Sequence, residues 1–155
     1  MTDEISRIEE AYRVLKAAKP YIEHQWEQGQ SYGWIKGAYT GNDSSVCAIG
    51  ALSAAMNNGN PMMVHYSAIE AGCAAGFLAR EMAELTPYGQ SAFPDVEEAA
   101  SSHEKVGVGF GTEVPNMNDD RLTTHSMVVE AFDRAIEKAA KTLEALKRQK
   151  GESES

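Results

Sequence analysis

At 155 residues the chain has the size of one domain and can bury a core without disulfide or metal staples. With 43% apolar and 24% charged residues it has the composition of a globular protein. A net charge of −9 with no basic cluster excludes direct DNA or RNA binding, because neutralising phosphates requires a basic footprint.

The charge is unevenly placed. Residues 1–36 sum to −1 and residues 121–155 to +1, whereas residues 37–120 hold eleven acids against Arg80 and Lys105, net −9. Such a middle serves solubility, or meets a basic partner. Cys47 and Cys73 lie among apolar and alanine residues, which suits free thiols in a reducing, cytoplasmic compartment. The acidic start Met1-Thr2-Asp3-Glu4 is unlike a basic secretion signal.

The first predicted element is a helix from Asp3 to Gln28. Ile5, Ile8, Tyr12, Leu15, Ile22 and Trp26 fall at three- and four-residue steps, and Pro20 predicts a kink or break near Ala18. Ser31 to Gly41 reads as an extended aromatic segment with Tyr32, Trp34 and Tyr39. The turn residues Gly41 to Ser44 introduce a helix from Ser45 to Asn57 that is apolar nearly all round, hence buried. Asn60-Pro61 supplies an N-cap and a first-turn proline for a helix reaching Leu85, closed by Thr86-Pro87-Tyr88-Gly89. The stretch from Met62 is long and apolar, but His65, Glu70, Arg80, Glu81 and Glu84 make it a buried helix rather than a membrane span.

From Tyr88 to Leu122 the helical period fails, apart from a short start at Pro94 and a glycine-rich extended segment from Val106 to Phe110. The last helix opens at Thr123 or Thr124. Its stripe of Val129, Phe132, Ile136, Ala139, Leu143 and Leu146 is unbroken. Residues 1–149 thus form one helical domain, followed by a disordered polar tail at 150–155.

Chemistry-bearing motifs are sparse. Cys47, near a helix start, would be the nucleophile of a cysteine hydrolase or transferase, with His103 and Asn118 or Asp119 following in papain-like order. A buried structural thiol explains it more simply. His24, His65, His103 and His125 lack metal-ligand spacing, and His125 reads as a surface residue. Gly107, Gly109 and Gly111 are followed by Glu113-Val114-Pro115, which does not read as the helix start a dinucleotide site needs. Asn118-Asp119-Asp120 is a helix-entry turn. It has more polar acceptors than a cap requires, so these residues also stand as candidates for a binding cleft with Trp34 and Tyr39.

Taken in order, Trp34-Ile-Lys-Gly-Ala-Tyr39, Cys47-Ala-Ile-Gly-Ala-Leu52, Val114-Pro-Asn-Met-Asn-Asp119 and the closing helix with Ala131-Phe-Asp-Arg-Ala-Ile136 resemble a family of small uncharacterised proteins of actinobacteria and their phages. The resemblance implies that Trp34, Gly37, Cys47, Gly50, Asn118 and Asp119 gather in one cluster. The chain departs from the family pattern at Met117, where the family tends to have tryptophan, and in a longer segment from Tyr88 to Val106.

The expectation is a mainly α fold: a compact bundle of four or five helices around a buried central helix, with a minor extended segment. Function is expected to be non-enzymatic binding or regulation of a protein partner or small ligand. Neither cofactor nor metal is expected. Two alternatives stand beside it, the Cys47 enzyme and a homo-oligomeric scaffold, such as a homodimer, joined through the terminal stripes.

Overall fold

The computed structural model describes residues 2–24, 33–34, 45–46, 48–56, 73–96 and 114–154. Among them are six helices: α1 (Thr2–Ile22), α2 (Ala48–Met56), α3 (Cys73–Leu85), α4 (Pro87–Ala92), α5 (Val114–Asp119) and α6 (His125–Glu154). A two-residue parallel bridge pairs β1 (Gly33–Trp34) with β2 (Ser45–Val46), Gly33 opposite Ser45 and Trp34 opposite Val46.

The apolar faces determine the packing. Ile8, Ala11, Val14, Leu15, Ala18 and Ile22 of α1 are buried against Val128, Ala131, Phe132, Ala135 and Ala139 of α6 and against Ala48, Ala51 and Leu52 of α2. From α3, Phe77, Leu78, Ala79, Met82 and Ala83 complete the core between α1 and α6. Alanine recurs at these contacts, so helix axes approach closely and the few large groups, Phe132, Leu15, Leu52 and Met82, fill the space between them. The terminal stripes therefore face each other and the inner helices. Their full width differs slightly from the periodic reading: on α6, Val129 and Ile136 are only partly buried, while Val128, Ala131 and Ala135 are fully so.

Several expected boundaries are corrected. Helix α1 continues through Pro20 and stops at Ile22. Pro20 lies in its last turn, where it removes a single amide donor near a helix end. Ser45 and Val46 are extended rather than helical, and α2 begins at Ala48. As expected, α2 is buried along Ala48, Gly50, Ala51, Leu52, Ser53 and Ala54.

Two helices appear where none was foreseen. Thr86 ends α3 and starts α4 at once: its Oγ donates to Met82 O (2.7 Å) and accepts from Gly89 N (3.0 Å), with Pro87 in the first turn. Val114 to Asp119, judged unsuited to a helix start, is α5, with Pro115 in its first turn, where proline is tolerated. Helix α6 continues to Glu154, through most of the polar segment expected as a tail. The short helix expected from Pro94 is helical at Val96 but not at Pro94 and Asp95; its continuation from Glu97, and the expected extended segment at Val106 to Phe110, lie outside the described residues. Among the described residues no helix is long and apolar enough to cross a membrane.

Candidate functional site

Four helix ends converge where α1 stops, α2 starts and α5 meets α6. A helix start leaves amide donors without intrahelical partners, and a helix end leaves carbonyls. Here these orphan groups are satisfied across long sequence distances. Asn118, in α5 and wholly buried, places its Oδ1 3.1 Å from Ala48 N, the first amide of α2. The same oxygen accepts the Trp34 indole Nε1–H at 2.7 Å. Its amide nitrogen donates to Asp119 Oδ1 at 2.9 Å, which fixes which end of the carboxamide faces the two donors.

The far side of Trp34 is held equally firmly. Its backbone amide donates to His24 O at 2.8 Å, and its indole packs against the His125 ring, centroids 5.6 Å apart at 35°. His125 Nε2 lies 2.6 Å from Ile22 O, the last carbonyl of α1. A carbonyl only accepts, so Nε2 carries the proton. His125 is thus half-buried and ties the end of α1 to the start of α6, which corrects its reading as a surface residue.

The turn between α5 and α6 is built for this purpose. Thr123 is buried and donates its Oγ–H to Met117 O at 2.5 Å, while its amide donates to Asp120 O at 3.0 Å. Asp120 Oδ2 accepts from Leu122 N at 3.0 Å, an Asx turn. Thr124 caps α6, its Oγ accepting from Met127 N at 3.3 Å. Met117 is fully buried in the core.

Of the residues proposed from sequence, Trp34 and Asn118 meet directly, Asp119 touches Asn118 from an exposed position, and Asp120 shapes the following turn. Tyr39, Gly37, Cys47 and His103 lie outside the described residues. Among the described residues no three His, Cys, Asp or Glu side chains converge as a metal site.

A second polar feature went unforeseen. Between α3 and α6 lies a cleft of about 180 Å³ lined by Glu81, Glu84, Arg134, Glu137, Lys138 and Lys141. Glu81 forms its floor at 1% exposure, with Lys138 Nζ 2.9 Å from Oε2. Among the described residues that oxygen has the Lys138 ion pair and no hydrogen bond to a neutral donor. On the rim, Arg134 pairs with Glu130 at 2.7 Å and Lys141 with Glu137 at 2.8 Å. The hydrogen bond and charge of Lys141 hold the Glu137 carboxyl below the usual carboxylate range, and Glu137 in turn raises the Lys141 ammonium. The only sequence sign of this floor was an acid between Leu78 and Met82 on the buried face of α3.

Comparison with curated proteins and with solved structures returns no match. A family model does match, over residues 7–138, and the chain belongs to that family, one of unknown function (DUF6197).

Proposed function

We propose that this chain is a non-enzymatic binding protein in which the Trp34–Asn118 junction is scaffold and the acidic segment of residues 37–120 meets a basic partner protein. The observation behind this reading is the way Asn118 is used. Its Oδ1 serves the Trp34 indole and the first amide of α2 inside the core. A side chain committed to two internal donors builds the fold rather than contacting a ligand. Recognition then rests with the surplus of eleven acids over two bases in residues 37–120.

Attraction between an acidic surface and a basic partner is screened by salt, so affinity should fall as ionic strength rises. The resemblance to small proteins of actinobacteria and their phages makes a host factor the first partner to seek. The test is binding of a purified candidate to wild type and to a variant carrying Asp95→Lys, Glu97→Lys and Glu98→Lys. Salt-insensitive binding, or full binding by that variant, would overturn the acidic-surface reading.

The competing enzyme reading centres on Cys47, with His103 and Asp119. It is weakened at one point: the Ala48 amide, next along the chain, already has Asn118 Oδ1 as acceptor. Iodoacetamide labelling of the native protein decides it. A thiol at Cys47 that reacts only after unfolding excludes a nucleophile.

A further inference from the structure

We propose that Met127 is a modification site: peroxide converts its thioether to a sulfoxide whose oxygen completes the capping box at the start of α6. Thr124 is the N-cap of this helix. Its carbonyl accepts from Val128 N at 3.3 Å, and its Oγ accepts from Met127 N at 3.3 Å. The Thr124 amide turns back to the same residue and donates to Met127 Sδ at 3.5 Å. This is the reciprocal geometry of a capping box, in which the third helical residue is normally Glu or Gln and offers an oxygen. In Thr124-His-Ser-Met127 a thioether holds that place, and sulfur is a weak acceptor. The Thr124 amide is thus aimed at an atom that receives it poorly.

Oxidation supplies the stronger acceptor. A sulfur lone pair attacks one oxygen of hydrogen peroxide, and an S–O bond forms as the O–O bond breaks. The departing hydroxide takes the proton of the transferred hydroxyl and leaves as water. Sulfur loses two electrons and the peroxide gains them, and reductases reverse the change. Methionine is unbranched, so its torsions can bring the new oxygen to the Thr124 amide. Access singles out this methionine. Met127 is half-buried, and its bond to Thr124 lies at the surface. Met82 and Met117 are fully buried, where a sulfoxide would set a polar group in the core. Met56, the last residue of α2, is 40% exposed and gauges what exposure alone does. The cap also has leverage on the fold. Its neighbours His125 and Thr123 tie the start of α6 to Ile22 O and Met117 O, so a firmer cap holds the whole junction.

The experiment treats the full chain with hydrogen peroxide, follows each methionine by peptide mass, and reads the Thr124 amide by its solvent exchange in NMR. Met127 should gain one oxygen while Met82 and Met117 stay unmodified in the folded chain. The Thr124 amide of the oxidised protein should then exchange about two- to tenfold more slowly, the range that one net hydrogen bond gives. Methionine sulfoxide reductases, one for each sulfur epimer, should restore the original rate. Met127→Leu should show no slowing after the same treatment. Met127→Gln, which installs the ordinary capping box, should show the slow exchange without peroxide. The main comparison is wild type before and after oxidation, so it depends on neither variant folding. Met127 left unmodified while Met56 is oxidised, unchanged or faster Thr124 exchange in the oxidised chain, or equal slowing in Met127→Leu would each overturn the proposal.

Discussion

Removing the Asn118 carboxamide takes the acceptor from two buried donors at once. Each orphaned donor costs about 1–3 kcal/mol, so Asn118→Ala should lose roughly 2–6 kcal/mol in urea denaturation. An alanine variant as stable as wild type would mean that both donors find other acceptors. Asn118→Asp keeps the oxygen but sets a second carboxylate where Nδ2 now lies 2.9 Å from Asp119 Oδ1. Like charges raise the folded-state pKa, so this variant should be most stable in acid and lose stability as pH rises through that raised value. In the exposed Glu137–Lys141 pair, Glu137 works in the opposite sense and Lys141 in the same one. The Glu137 pKa is lowered, so its contribution is lost as pH falls through the folded value. The Lys141 pKa is raised, so its contribution is lost as pH rises through the folded value. Glu137→Gln should therefore flatten the acid limb of the stability profile only slightly, because both groups are solvated. At this scale the sequence was partly legible. Asn118 stood out because the turn held more polar groups than a cap needs, and Trp34 because it lies in an aromatic segment. His125 did not, because a single histidine at a helix start has no periodic signature, and its partners Ile22 and Trp34 lie far away in the chain.

Helices were legible where the 3.6-residue period persisted, as in α1, α3 and α6, and lost where they were short. Thr86-Pro87 and Val114-Pro115 carry the signal also read at Asn60-Pro61, a proline suited to a first turn, yet each was taken as a stop or a non-start. In six residues the period cannot declare itself, and local capping decides. The corner between α3 and α4 offers a sharp test. A methyl group added at Gly89 would lie 2.4 Å from Ala83 Cα and 2.6 Å from Ala83 O, both backbone atoms that cannot turn aside. Gly89→Ala should force α4 away from α3 and cost about 1–3 kcal/mol, read as a lowered thermal midpoint. Thr124→Ala, which removes only the cap of α6, should cost about 1 kcal/mol. If the two losses came out in reverse order, close packing would not be what fixes this corner.

Across the whole molecule, the first and last helices were expected to pack on the central helix, on each other or on a second copy. Intramolecular packing is what the described residues show, with α1 against both α6 and α2. The ion pairs between them give the sense of this pairing. Glu9 meets Lys147 at 3.5 Å and Lys19 meets Asp133 at 2.5 Å, so numbers rise along one helix as they fall along the other. The pairing is therefore antiparallel, and the beginning of α1 lies level with the final turns of α6. A short glycine–serine linker between the two ends would span little distance, and the order in which the elements are synthesised becomes an experimental variable. A circular permutant opened at the exposed Pro94–Asp95 junction should keep the helical circular-dichroism signal and a single cooperative unfolding transition. If the permutant lost that cooperativity, making α1 first and α6 last would itself be a condition of reaching the fold.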